Sequence, residues 1–173
     1  MSQTVKSLQI VSTSFLVGLA ACGGSEPEQP APETTAAIIE SPVVVAMDTE
    51  FAASLGVDLE QMTRLPSGMY YEDLTEGSGL GARDGHVLNV YYTGSLATAE
   101  VFDSNTEGEG YSFQLGRRQV ILGWEQGIQG MRIGGKRLLV IPPSLGYGQR
   151  GFPPVIPPSA TLVFEVELLN IRL

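Results

Sequence analysis

The cleanest two-residue alternation of apolar and polar positions lies near the C-terminus. In "TLVFEVELLNI", Leu162, Phe164, Val166 and Leu168 share one face of an extended strand, and Glu165 and Glu167 occupy the other. Upstream, "GMYYEDL" and "HVLNVYYTGSL" carry aromatic and β-branched residues bounded by the turn-rich "EGSGLGARDG", and "YSFQL" and "KRLLVIP" add two further strand candidates. Only "GWEQGIQGM" reads as helical in this region, and it is brief. One short helix covers a sheet only if the sheet curls around it. The pattern therefore predicts an α+β fold, an antiparallel sheet of five to six strands half-wrapped around one short α-helix.

Residues 48–64 have a different periodicity. Phe51, Leu55, Leu59 and Met62 recur at helical spacing behind a possible cap at Asp48, which predicts a short amphipathic lead-in, although Gly56 and Val57 work against it. As a dimerisation arm this segment is short, and a monomer is expected. Residues 22–47 hold, directly after Cys22, "GGSEPEQPAPETTAAIIESP", rich in Pro, Glu, Ser, Thr and Ala with little to bury, and read as a disordered tether. Residues 1–21 carry Lys6 and the apolar "LQIVSTSFLVGLAA", too short to span a bilayer. The Leu19-Ala20-Ala21-Cys22 tetrapeptide that follows resembles the bacterial lipobox. That resemblance implies a lipoprotein signal peptide, lipidation of the Cys22 thiol, and a cell-envelope location, anchored to the outer membrane and facing the periplasm.

Charge narrows the partners. The chain has a formal net charge of −9, and removing the leader, with Lys6 and no acid, leaves nine basic residues against nineteen acidic ones, or −10. Such a body repels phosphate backbones, so nucleic acid is not an expected partner. With Cys22 the one cysteine and His86 the one histidine, in an apparent turn, there is no disulfide, zinc cluster or Cys-His pair to assemble. "GMRIGGKR" imitates the start of a phosphate loop but places Arg137 where a magnesium-binding hydroxyl belongs; it reads as a turn in which Gly134 and Gly135 supply positive φ.

What the sequence does hold is aromatic residues close to glycine turns, and an apolar loop, "SLGYGQRGFPPVIPPSA", stiffened by Pro153, Pro154, Pro157 and Pro158. Loops are ordinarily polar, so this one is built as a wall. The ordered set "VYYTGSL", "VFDSN", "YSFQLGRRQVILGWEQGIQGM", "GGKRLLVIPPSLGYG" and "VIPPSATLVFEVELL" resembles the FKBP-type peptidyl-prolyl isomerases over roughly residues 68–173. The resemblance implies an FKBP-like fold for residues 65–173 and an apolar pocket that takes a prolyl ring without metal or cofactor. It puts Trp124 at the pocket floor, with Phe113, Val120 and Phe164 enclosing the ring and Phe102 pressing from the side. Tyr147 and the Ile121 N–H would hold substrate carbonyls, and Asp103 would hydrogen-bond Tyr92 and face the rotating carbonyl. Tyr111 and Ile156 complete the wall, with Phe152 on the rim where some relatives carry a polar or basic residue.

By the same resemblance Asp103, Tyr92, Tyr147 and Phe102 are the catalytic set. The implied partners are proline-containing unfolded or exported polypeptides and the macrolide inhibitors of the family, besides the membrane through the lipid anchor. A holdase module with the same pocket and little turnover is the alternative. The stretch "LATAEVFD" departs from the family in its turn, with Thr98 and Ala99 where an Asp-Gly type is frequent. The pocket reading requires an opening over Trp124 and Phe113.

Overall fold

The structure, a computed structural model, describes residues 49–173. The leader, Cys22, the tether and Asp48 lie outside the described residues. Nine strands follow in chain order: β1 (Thr63–Arg64), β2 (Tyr70–Thr75), β3 (Ser78–Gly81), β4 (Val87–Leu96), β5 (Val101–Asn105), β6 (Tyr111–Gln114), β7 (Arg132–Ile133), β8 (Lys136–Ile141) and β9 (Leu162–Arg172). The α-helix, α1 (Leu122–Gly127), lies between β6 and β7. The main antiparallel sheet runs β1-β2-β8-β9-β4-β5, with β6 also paired to β4, and β3 and β7 form a separate two-stranded ribbon. This is the expected α+β architecture. The sheet counts seven strands because the two-residue β1 pairs with β2.

β4 pairs with β9 along its whole length, but on its other edge it pairs with β6 through Val87–Val90 and with β5 through Tyr92–Ser95. One strand thus serves two partners on that edge. The alternation of β9 holds: Leu162, Phe164, Val166 and Leu168 are buried and Glu165 is exposed. They join Leu88, Val90, Leu139, Ile141, Met69, Leu115 and Ile128 in one core, each large side chain contributing about 1.5–3 kcal/mol.

The helix lies very close to β8 because two of its positions are glycines. A methyl at Gly123 would sit 2.5 Å from Ile141, and one at Gly127 would sit 2.8 Å from both Leu139 and Met69. A larger residue at either position would have to displace the side chains of Ile141, Leu139 or Met69.

The lead-in does not form the helix its spacing predicts. Only a 3₁₀ turn, Ala53–Leu55, is present, ended by Gly56 at φ 63°. Glycine is at ease there, and a left-handed residue stops helical propagation. The apolar residues are partly buried all the same. Phe51, Leu55, Val57 and Leu59 pack on a second cluster of Met62, Tyr70, Leu138, Val140 and Val163, which covers the outer face of the sheet. Both faces of β8 are therefore apolar, as its sequence KRLLVI requires.

The β4–β5 connection is a tight hairpin. Leu96 N–H donates to Glu100 O and Ala99 N–H to Leu96 O, each at 2.9 Å. Ala99 takes φ 68°, a conformation that Asp-Gly sequences reach more easily.

Candidate functional site

A cavity of about 330 Å³ opens where the sheet curls over the start of α1. Its lining comes from almost every element of that end: Tyr92 of β4, Phe102 and Asp103 of β5, Tyr111 of β6, Gln119, Val120 and Ile121 of the loop before α1, Trp124 of α1, Tyr147 of the loop after β8, and Phe164 of β9. Tyr92 has the parity of the buried Leu88 and Val90, so strand alternation points it inward. Phe164 faces it from β9 by the same rule.

Trp124 forms the floor and is 4% exposed. Tyr92 and Phe164 meet it edge-on, with ring centroids 5.0 and 5.4 Å away, and Phe102 stands edge-on to Phe164 at 5.5 Å. Such T-shaped pairs add about 0.5–1.5 kcal/mol each beyond area burial and fix the ring planes. The result is a set of aromatic walls that hold their shape around an empty space.

The polar side-chain groups of the lining belong to Tyr92, Asp103, Tyr111, Gln119 and Tyr147. The Tyr92 hydroxyl donates to Asp103 Oδ2 at 2.7 Å. Burial first, then the hydrogen bond and charge of Asp103, hold the Tyr92 pKa well above its usual value. Tyr147 is raised too, again by burial first and then by Asp103. Both phenols remain protonated donors at neutral pH. Among the described residues no backbone acceptor takes the Ile121 N–H, while the Ile121 carbonyl receives Trp124 N–H and Glu125 N–H at 3.0 and 3.2 Å.

Nine of the twelve expected pocket residues line the cavity, and three do not. Phe113 is 3% exposed and packs behind the floor, 5.7 Å from Trp124 and 6.0 Å from Tyr111. Ile156 is 3% exposed and belongs to the core. Phe152 is 60% exposed, outside the lining, with its ring 5.9 Å from Tyr147. Within the loop, Phe152 N–H donates to Ile156 O at 2.8 Å and Ile156 N–H to Phe152 O at 2.9 Å, closing a small bridge. The required opening exists over Trp124 and not over Phe113.

Sequence reasoning missed three contributors. Gln119 lines the cavity, and its Oε1 accepts Gln114 N–H at 2.8 Å. Glu125 accepts Gly116 N–H and Arg118 N–H, each at 2.6 Å, and so ties the loop carrying Gln119, Val120 and Ile121 to α1. Gly94 leaves the space that the Phe102 and Phe164 rings fill. His86, half-buried in its turn, is not among the lining residues. Among the described residues no group of three or more His, Cys, Asp or Glu is arranged to hold a metal.

The family model for FKBP-type peptidyl-prolyl cis-trans isomerases matches residues 80–169, more than half of the chain. The chain belongs to the FKBP-type peptidyl-prolyl cis-trans isomerase family. The matched span includes all ten residues that line the cavity. FK506-binding protein 4 of Rhizopus delemar is 47% identical over 112 residues, 65% of this chain and 29% of that protein. The 46 kDa FK506-binding nuclear protein of Spodoptera frugiperda is 47% identical over 114 residues, 65% of this chain and 28% of that protein. The chain thus spans less than three tenths of the length of these two relatives. The crystal structure of AtFKBP13 superposes with a TM-score of 0.60 at 36% identity, covering 65% of this chain and 99% of that one. Both curated relatives are eukaryotic and one is named a nuclear protein, which corrects the lipid-anchored outer-membrane location expected from the N-terminus. A leader pattern of a few residues specifies far less than an alignment of more than a hundred.

Proposed function

We propose that residues 65–173 form the catalytic unit and accelerate rotation about Xaa-Pro bonds in unfolded polypeptides by holding the prolyl ring in the aromatic cavity. The supporting observation is the open space of about 330 Å³ floored by Trp124 and walled by Tyr92, Phe102 and Phe164, with Asp103 held at its edge. Amide resonance opposes rotation with a barrier of roughly 18–20 kcal/mol. Resonance also separates charge between oxygen and nitrogen, and water stabilises that charge in the planar form. An apolar cavity withholds this stabilisation from the planar amide more than from the twisted one. Hydrogen bonds from Tyr147 and Ile121 N–H would anchor the chain on one side of the bond, and the Asp103 dipole would face the carbonyl that turns. A barrier lower by about 4 kcal/mol gives roughly a thousandfold acceleration, with no covalent intermediate or cofactor in the scheme.

The same cavity is proposed to take FK506-type macrolides, which supplies a competitor for the test. Purified full-length protein is added to a Leu-Pro or Phe-Pro peptide relaxing from cis to trans. Acceleration that FK506 suppresses and Asp103→Val greatly reduces supports the isomerase. The outward Phe152 and Val155, 60% and 44% exposed, favour a second reading as a chain-gripping holdase. Unchanged relaxation alongside suppressed aggregation of an unfolded client would replace the first reading by that one.

A further inference from the structure

We propose that Arg137 is a positioning residue for the isomerase cavity, setting the place of Trp124 along the sheet through the end of its helix. Arg137 shares the inner face of β8 with Leu139 and Ile141, and it is 7% exposed, an unusual place for a charge. Those three side chains meet α1 in sequence along its axis. Ile141 lies against Gly123 and Leu139 against Gly127, while the Arg137 guanidinium donates from Nη1 to Gly127 O at 2.7 Å and to Gln129 O at 3.2 Å.

The first two contacts are apolar and carry no directional bond. Of the three, only Arg137 makes directional bonds to the helix end; the residues just beyond it are also tied, Gln129 Nε2 to Asp84 Oδ1 at 2.7 Å and Gly130 N–H to Ala82 O at 2.9 Å. The other face of Arg137 is fixed just as firmly: Nε and Nη2 form a fork to Asp73 Oδ1 and Oδ2 at 2.6 and 2.9 Å, and the guanidinium lies 4.4 Å over the Tyr71 ring. One planar group therefore links the last turn of α1 to β2. The helix has six residues, too few to hold itself, and Ile128 N–H returns to Trp124 O at 3.0 Å. A shift at Gly127 is carried directly to the residue that floors the cavity.

The inference rests on the proposed reading of the cavity for its effect on catalysis, but its structural part is measurable separately because Trp124 is the single tryptophan of the chain. Arg137→Lys keeps the charge and loses the fork; Asp73→Asn, at a partly exposed site, is the milder variant should the first not fold. Each is taken at a temperature where circular dichroism reports a folded protein. The expected result is a changed Trp124 emission together with a KM for a Xaa-Pro peptide raised about fivefold and kcat altered less than twofold, the pattern of lost uniform binding. Unchanged emission and unchanged KM in a folded variant, with only a lower urea midpoint, would reduce Arg137 to a stabilising residue and overturn the proposal. If the wild-type protein accelerates nothing, the cavity reading fails on its own, and the emission of the two variants still decides whether Arg137 places Trp124.

Discussion

The Tyr92 hydroxyl and the Asp103 carboxylate stand 2.7 Å apart, so the one acid on the cavity wall is held by a phenol that burial keeps protonated. Because the Tyr92 pKa is raised above its usual 10.0 in the folded protein, the stability it contributes is fully present below that value and is lost as the pH climbs toward the folded value. Isomerisation should therefore be insensitive to Tyr92 from about pH 6 to 9, and the urea midpoint should fall above about pH 10. The difference between wild type and Tyr92→Phe isolates the group: the variant should lose less stability between about pH 9 and 10.8. A variant that falls as steeply as wild type would show that the phenol is not coupled to folding.

Phe113 and Phe152 should separate by two different measurements. Phe113, sealed behind Trp124, is a core residue, and Phe113→Ala should cost about 3–5 kcal/mol in urea unfolding. Phe152 is mostly in water, so Phe152→Ala should change stability by less than about 0.5 kcal/mol. Any effect of Phe152→Ala on isomerisation would appear in KM for apolar peptides. A large stability loss at Phe152 would contradict the outward orientation of its ring.

These two phenylalanines mark the limit of what the sequence discloses. Alternation in β9 and short-range spacing locate the sheet and the helix, because both are local properties, whereas the nine cavity residues come from the family resemblance that the ordered motifs carry. Which apolar residue of a proline-rich loop turns inward is not local. It depends on how the loop closes on the rest of the fold, as at Gly151, where φ is 66° and a methyl would collide with Ile156 O and Pro157 O. The lead-in shows the same limit from the other side. Its helical spacing is real, yet Gly56 ends the turn, and the outer face of the sheet gathers the apolar residues without a helix. Gly94 and Glu125 carry no signal of their own, since each matters only through groups that tertiary structure brings against it.

Glu125 acts on the cavity through backbone. Its two oxygens accept from Gly116 and Arg118, whose φ angles of 82° and 54° bend the loop that delivers Gln119, Val120 and Ile121. In Glu125→Gln one oxygen becomes a donor that opposes a fixed N–H. The substitution should cost about 1–3 kcal/mol in urea unfolding and raise KM more than it lowers kcat. Unchanged stability would mean that the loop holds its shape without the carboxylate.

Gly94 permits the tightest contact of the aromatic wall. A methyl there would sit 2.6 Å from Phe164 Cε1 and 2.8 Å from Phe102 Cζ, well inside normal contact. The backbone has little room to yield, since Gly94 is paired to Asp103 on one side and Phe164 on the other. The rings must yield instead, and both line the cavity. Gly94→Ala should therefore destabilise by about 1–3 kcal/mol, as overpacking does, and should also reduce kcat/KM at least about tenfold, equivalent to roughly 1.4 kcal/mol of transition-state stabilisation. The second effect separates a displaced wall from a strained sheet, because strain stored in paired backbone would lower the urea midpoint and leave peptide turnover by the folded fraction intact. Full activity in a folded Gly94→Ala protein would mean that Phe102 and Phe164 do not need their present positions for the substrate to bind and turn.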